Sequence, residues 1–364
     1  MEADTTKNSP LFKMAAKLAD DHVVEFSQLS FGDISEISTF LRSVWSKGYG
    51  RMGSPDFSED YLRWVLGGPN KSKNLLFGGR INNELVAYQS FLFRTMDYCG
   101  KKLSCYLNTH LAASMKIDLR ARLECLFEIE QQCVLLDERS KYYDPNCDLI
   151  FAFFEAGKPL KYREDRLLRK CLGITRLDYA TFNQFMILPR RLRTYLNQNR
   201  LEDGSILLRG ASESDSNELS KLFNDMPDNP HFTRIMTVEE LRHHFCGHPN
   251  HFTSVIETEG RIEAFINFYP MEIIKEGQTS SYVIIEFLFS KERNRRFIAM
   301  LLNEALRVSE KMGAKGVVVE NGADLDFDYY REIGVIPTFR KMTMSVISKN
   351  YSVDHFGSFR CDIK

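Results

Sequence analysis

The sequence predicts an α/β protein made of two tandem domains, each a mixed sheet flanked by helices. Apolar stretches of strand period alternate with stretches of helical period along the chain. One order of elements, β-α-α-β-β-β-α-β-α-β, is read twice, about 180 residues apart, a spacing too long for a solenoid and suited to two related domains. The 364 residues, 43% hydrophobic and 27% charged, are enough for two cores of roughly 100–200 residues each.

The elements follow in order. Residues 1–22 read as a loosely docked tail, without the basic head and apolar run of a secretory signal. A strand over 22–29 leads to a helix behind the cap Asp33, with Ile34, Ile37, Phe40, Leu41, Val44 and Trp45 at helical spacing. A short helix spans 59–66. Strands at 74–77 and 85–93 join through Ile81-Asn82-Asn83, and a strand over 103–115 feeds a long helix at 119–136, with Leu123, Leu126, Phe127, Ile129 and Val134 on one face. A hydrophobic strand at 148–154, a helix ending near Gly173 and strands through Leu188 close the first half. Residues 190–203 are a polar connector.

The second half restarts with a strand at 205–210 and a helix at 211–223, which Ser212 and Asp215 cap and box. A helix at 238–245, strands at 251–257 and 262–269 around Glu259-Gly260, and a strand at 281–290 come next. A helix at 294–312, a strand at 316–320, a helix at 324–333 and a strand at 338–348 complete it. The expected domains are therefore 23–189 and 204–350, with 351–364 a C-terminal tail.

Composition excludes several classes. Lys+Arg 48 against Asp+Glu 49 gives a net charge of −1, which lacks the basic excess of a dedicated nucleic-acid binder. The longest apolar stretches, such as 283–289, are strand-length, short of the ~20 residues that span a bilayer. None of the eight cysteines forms a CxxC pair, so they read as buried hydrophobes in a reducing, cytoplasmic setting. The 27 Phe and 15 Tyr against 2 Trp suit phenyl-rich cores or an apolar pocket.

Several short stretches carry a family likeness. Leu208-Arg209-Gly210-Ala211, with Asp215 four residues on, matches a "hydrophobic-Arg-x-Ala…Asp" opening, and Tyr330-Arg-Glu-Ile-Gly334-Val335 matches a Tyr-x-x-x-Gly-Phe close with Val for Phe. With the order of elements, these resemble the GNAT acyltransferase superfamily as a tandem pair over nearly all of 23–350. Met236-Thr-Val-Glu-Glu240-Leu-Arg-His-His244-Phe245, Val255-Ile-Glu257 and Ala264-Phe-Ile-Asn-Phe268-Tyr269 resemble the second domain of N-myristoyltransferases over about 35 residues. Tyr61-Leu-Arg-Trp64 before Gly68-Pro69, then Thr109-His110-Leu111, is similar to bacterial GNAT acyltransferases.

The resemblance implies acyl transfer from a coenzyme A or acyl-carrier-protein thioester to a small-molecule or peptide amine, without a metal. The amine attacks the thioester directly, so the protein supplies alignment, a base, an oxyanion donor and an acid for the thiolate. In the family's layout the first domain holds the thioester and the second shapes the acceptor site. The implied catalytic residues are Glu286 and His110 as bases on equivalent strands and Tyr330 as the acid. Amides near a bulge, at Leu111 and Ala112, face the thioester, and Arg120, Ala121 and Arg122 hold its pyrophosphate at a helix start. The sequence departs from the family at both phosphate turns. Lys116–Leu123 has one Ala and no Gly, and Ser290–Phe297 has no small residue. Those departures keep open a non-catalytic ligand- or partner-binding protein on a degenerate scaffold.

Two other clusters read as structural. His243, His244, Cys246, His248 and His251 invite zinc, but adjacent histidines on one helix diverge, whereas a metal needs ligands converging at ~2.0–2.3 Å. Asp324, Asp326 and Asp328 lack the remaining ligands of a calcium loop and suit a helix N-terminus. Strict alternation puts Ile284, Glu286 and Leu288 on one strand face and Ile285 and Phe287 on the other, both apolar, so Glu286 is expected to be buried.

Overall fold

In the computed structural model, both halves open with the same capped turn. Ser30 donates its backbone N–H (2.7 Å) and hydroxyl (2.8 Å) to the Asp33 carboxylate; Ser212 does the same to Asp215 at 2.7 and 2.9 Å. A helix follows each. The structure describes residues 24–48, 54–114, 116–117, 143–155, 176–199, 205–224, 232–246, 250–319, 330–348 and 359–360. The expected helices at 119–136 and before Gly173, and most of the one at 324–333, lie outside them.

The first half contains β1 (Glu25–Leu29), α1 (Ile34–Gly48), β2 (Ser54–Pro55), α2 (Glu59–Leu66), β3 (Leu75–Ile81), β4 (Glu84–Tyr98), β5 (Lys101–Ala113), β6 (Leu149–Glu155) and β7 (Leu177–Ile187). After α3 (Pro189–Gln198) come β8 (Ile206–Gly210), α4 (Ser216–Asn224), β9 (Phe232–Ile235), α5 (Val238–Cys246), β10 (Phe252–Thr258), β11 (Arg261–Lys275) and β12 (Gln278–Ser290). Helix α6 (Arg295–Lys311), β13 (Val317–Val319), β14 (Val335–Ser348) and β15 (Phe359–Arg360) follow.

The halves match residue by residue through their hairpins. Strands β3, β4 and β5 begin at 75, 84 and 101 and their counterparts β10, β11 and β12 at 252, 261 and 278, an offset of 177 each time. The hairpin turns keep that offset. Asn82-Asn83 and Cys99-Gly100 answer to Glu259-Gly260 and Glu276-Gly277, and all eight residues have positive φ, the signature of two-residue turns whose twist suits right-handed strands.

All these strands form one sheet, whose main path runs β1-β3-β4-β5-β6-β14-β7-β13-β12-β11-β10-β8. The order is a palindrome of equivalent strands with one exchange. Strand β7 lies between β14 and β13, and β14 lies between β6 and β7, so each closing strand pairs with the other half. The β5–β6 and β12–β13 pairs are parallel; the other neighbours on this path are antiparallel. Helices cover both faces. Ile37, Leu41, Leu62, Trp64 and Tyr269 share one core cluster, Phe245, Phe265 and Phe287 another, and α6 buries Ile298, Leu301, Leu302, Ala305 and Leu306 on the opposite face.

Two features were not legible beforehand. The polar connector is helical over Pro189–Gln198, because Leu192, Tyr195 and Leu196 make a narrow i, i+3, i+4 apolar stripe that packs against the α6 cluster. Strand β9 is too short to register as a pattern, yet it joins the halves by pairing with Thr95–Tyr98 of β4.

Candidate active site

The central strands of both halves are bulged at neighbouring places, slightly out of step at the 177 offset. On β5, Ser90 pairs with Thr109 and Tyr88 with Ala112, so His110 and Leu111 both oppose Gln89. On β12, Asn267 pairs with Phe287 and Phe268 with Ile285, leaving Glu286 as the extra residue. Each bulge begins just past the last parallel rung. The β5–β6 ladder ends at Asn108 and the β12–β13 ladder at Ile285, residues that are equivalent at the 177 offset, while β5 and β12 run on. Bulges interrupt the ladder and re-aim side chains. His110 and Glu286, the two bases expected from the sequence, both lie in these bulges.

His110 is buried and has φ of +56°, a left-handed conformation that is uncommon for a non-glycine residue. Its Nδ1 is 2.9 Å from Ser90 Oγ, and that hydroxyl donates onward to the Thr109 carbonyl at 3.2 Å. With the hydroxyl hydrogen so committed, Nδ1–H donates to Ser90 and the lone pair is left on Nε2. Burial, then the charge of Arg94, lowers the His110 pKa to about 4, so the ring is neutral at pH 7. Leu111 completes the bulge, and Ala112 is back in register opposite Tyr88. Arg120, Ala121 and Arg122 lie outside the described residues; the nearby Lys116 pairs with Glu84.

Glu286 is buried with its carboxylate 3.7 Å from His251 Nε2. On the other side of that ring, Nδ1 is 3.3 Å from the Asn267 amide, which also donates to Thr253 Oγ1 at 2.9 Å. Trp64 from α2 packs over His251 with ring centroids 4.2 Å apart, and Tyr269 stands 5.3 Å from His251. The bulge corrects the expected alternation. Past Glu286 the faces exchange, so Phe287 joins the α4–α5 side while Leu288 packs with Ile285 on the α6 side.

The stretch resembling N-myristoyltransferases has a structural explanation. Thr237 and Glu240 form the capping box of α5, with Thr237 N–H to Glu240 at 2.9 Å and Glu240 N–H to Thr237 Oγ1 at 3.2 Å. Asn70 donates to Glu240 at 2.6 Å, and the fully buried Arg234 donates to His244 Nε2 at 2.9 Å. His243, His244 and His251 thus serve different partners, and no group of three or more metal-ligating side chains gathers among the described residues. His248 lies outside them.

At the second phosphate turn, the Asn294 side chain caps α6 by accepting from the N–H groups of Arg296 (3.1 Å) and Phe297 (3.3 Å). These are the orphan amides an incoming anion would need. Arg295 pairs with Glu332. Tyr330 is buried alongside Ile333, Val335 and Leu192, in the cluster that α6 packs against.

No family model and no curated protein matches this sequence. Solved structures do. The chain is similar to Saccharomyces cerevisiae N-myristoyltransferase with bound myristoyl-CoA, at a TM-score of 0.66 and 13% identity over 90% of this chain and 84% of that one. A conserved Enterococcus faecalis protein described as a probable N-acyltransferase matches at a TM-score of 0.52 and 10% identity, covering 89% and 72% of the two chains. A GCN5-related N-acetyltransferase from Anabaena variabilis matches at 0.50 and 8%, with the same coverages. The chain therefore has the mixed α/β fold of the acyl-CoA N-acyltransferases.

Proposed function

We propose that this protein transfers an acyl group from a coenzyme A thioester to the amine of a small molecule or peptide, with one thioester site, in the first half. The observation that carries the reading is the His110–Leu111 bulge where β5 leaves β6. There, a neutral imidazole and two backbone amides adjoin an opening between parallel strands. Coenzyme A is favoured over a carrier protein because the similar Saccharomyces structure holds myristoyl-CoA. The second half is the poorer thioester site, since Asn294 already occupies its helix amides.

In this proposal His110 Nε2 takes the proton that the amine sheds as it attacks the thioester carbonyl. The amides of Leu111 and Ala112 receive the oxyanion. Arg120 and Arg122 meet the pyrophosphate, with Ala121 allowing close approach. The departing thiolate needs little help, a thiol pKa being about 8.5. That leaves Tyr330 as a packing residue here, so Tyr330→Phe keeps full turnover. Glu286, with His251, holds a proton on the acceptor side. The 177-residue offset supports reading the halves as related domains, with the closing strands exchanged.

Melting the protein with acyl-CoA of increasing chain length, then assaying thiol release, tests the proposal. Stabilisation by some chain length is expected. His110→Gln and Glu286→Gln should then lower turnover by ~10²–10⁴ with little change in melting temperature. Absence of stabilisation at every chain length favours the ligand- or partner-binding scaffold instead.

A further inference from the structure

On the sheet face opposite His110, Gln89 and Asn108 form a buried polar pair. Gln89 is fully buried and Asn108 is 9% exposed, and Gln89 Nε2 donates to Asn108 Oδ1 at 2.7 Å. The other end of the Gln89 amide, Oε1, is buried and accepts no hydrogen bond. Buried carbonyls of this kind nearly always have a donor, because leaving one bare is costly. The position is specific. Gln89 is the single β4 residue opposite the two bulge residues, and Asn108 is the last β5 residue paired with β6. A molecule entering the opening between β5 and β6 therefore meets this polar pair first at Asn108, with Gln89 behind it on β4.

A bare buried carbonyl selects for an N–H or O–H donor. An acyl chain has none, and a phosphate oxygen accepts. The acceptor amine is served by His110 on the other face. The donors that remain in the arm carrying the sulfur are two secondary amides and a hydroxyl, and the amide nearest the sulfur is the one that follows the thioester into the opening. We infer that Gln89, held by Asn108, accepts a hydrogen bond from the amide N–H nearest the sulfur of the thioester arm, fixing how far the thioester travels along β5. This rests on the acyltransferase reading above.

The test compares two truncated thioesters, S-octanoyl-N-acetylcysteamine and its ester analogue S-octanoyl-2-mercaptoethyl acetate, in which an ester oxygen replaces the N–H. Binding to the full-length protein is measured by calorimetry, alongside octanoyl-CoA. The wild type should prefer the amide by about tenfold, roughly one hydrogen bond. Gln89→Met combined with Asn108→Leu removes the whole polar pair and should abolish the preference while keeping or raising the melting temperature. Equal binding of the two thioesters by the wild type overturns the role of Gln89, and that outcome does not depend on any variant folding. A preference that persists in the double variant overturns it too. Failure of the wild type to bind octanoyl-CoA, either thioester and acyl-CoA of every other chain length overturns the acyltransferase reading itself.

Discussion

Trp64 and His243 exchange hydrogen bonds across the two halves. His243 Nε2 donates to the Trp64 carbonyl at 2.9 Å, and Trp64 Nε1 donates to the His243 carbonyl at 3.4 Å. The clasp joins the C-terminal ends of α2 and α5, and the Trp64 ring also covers His251. Trp64→Ala should cost about 3–5 kcal/mol in urea unfolding, the range for a buried aromatic. Trp64→Phe keeps much of the packing and should cost roughly 1–2 kcal/mol for the bare His243 carbonyl. No loss in Trp64→Phe would mean that the indole side of the clasp contributes nothing.

His110 sets a pH dependence with a definite sign. Its folded pKa is about 4 against 6.5 unfolded, so the unfolded chain binds more protons between these values. Its contribution is present above pH 6.5 and is lost as pH falls towards 4, an effect on the order of 3 kcal/mol. Denaturant titrations from pH 7 to 4 should lose that slope in His110→Asn. The Asp215 carboxyl, held down to about 2 by Arg209, acts in a separate window and loses its contribution only as pH falls from about 4 towards 2.

The two capped turns offer an internal comparison. Asp33 is held by Ser30, whereas Asp215 is held by Ser212 and also takes a two-pronged contact from Arg209 at 2.7 and 3.0 Å. Asp33→Ala should cost about 1 kcal/mol, as lost caps do. Asp215→Ala should cost about 1–3 kcal/mol more, because it takes from Arg209 the nearer of its two carboxylates and leaves only Glu257. Chemical denaturation of both variants under one buffer decides it.

Gly334 turns the chain before β14 with φ of +90°, and an added Cβ would lie 2.9 Å from Arg191 Cβ and 3.0 Å from Leu192 N. Gly334→Ala should therefore destabilise by roughly 2–4 kcal/mol, combining left-handed strain with the clash. Gly100 has a similar φ of +85° but open space around it, so Gly100→Ala should cost only about 1 kcal/mol. Thermal melts of the pair separate conformation from contact.

Periodicity made the repeat legible, and with it nearly every strand of both hairpins. It under-read the outer ends of β4 and β11, because Arg94 and Asp97 look like loop although their backbone stays in the ladder. His110 and Glu286 could be picked out from their strands. Their bulges could not, since neither position carries the glycine that usually marks one. His251 was visible only as part of an apparent metal cluster; its tie to Glu286 and Asn267 runs across neighbouring strands, which the pattern within any one strand does not show. Strand exchange left no trace either, because alternation says which face a residue takes and nothing about which strand lies alongside.

The exchange of β7 and β14 has a consequence for how the protein is made. A ribosome finishes β7 at residue 187 but does not reach the end of β14 until residue 348, about 160 residues later. At roughly 5–20 residues per second that interval is about 10–30 s. Throughout it, β6 and β7 present unpaired backbone to the cell. The nascent chain is thus a customer for holding chaperones, and a truncated first half should precipitate when expressed alone.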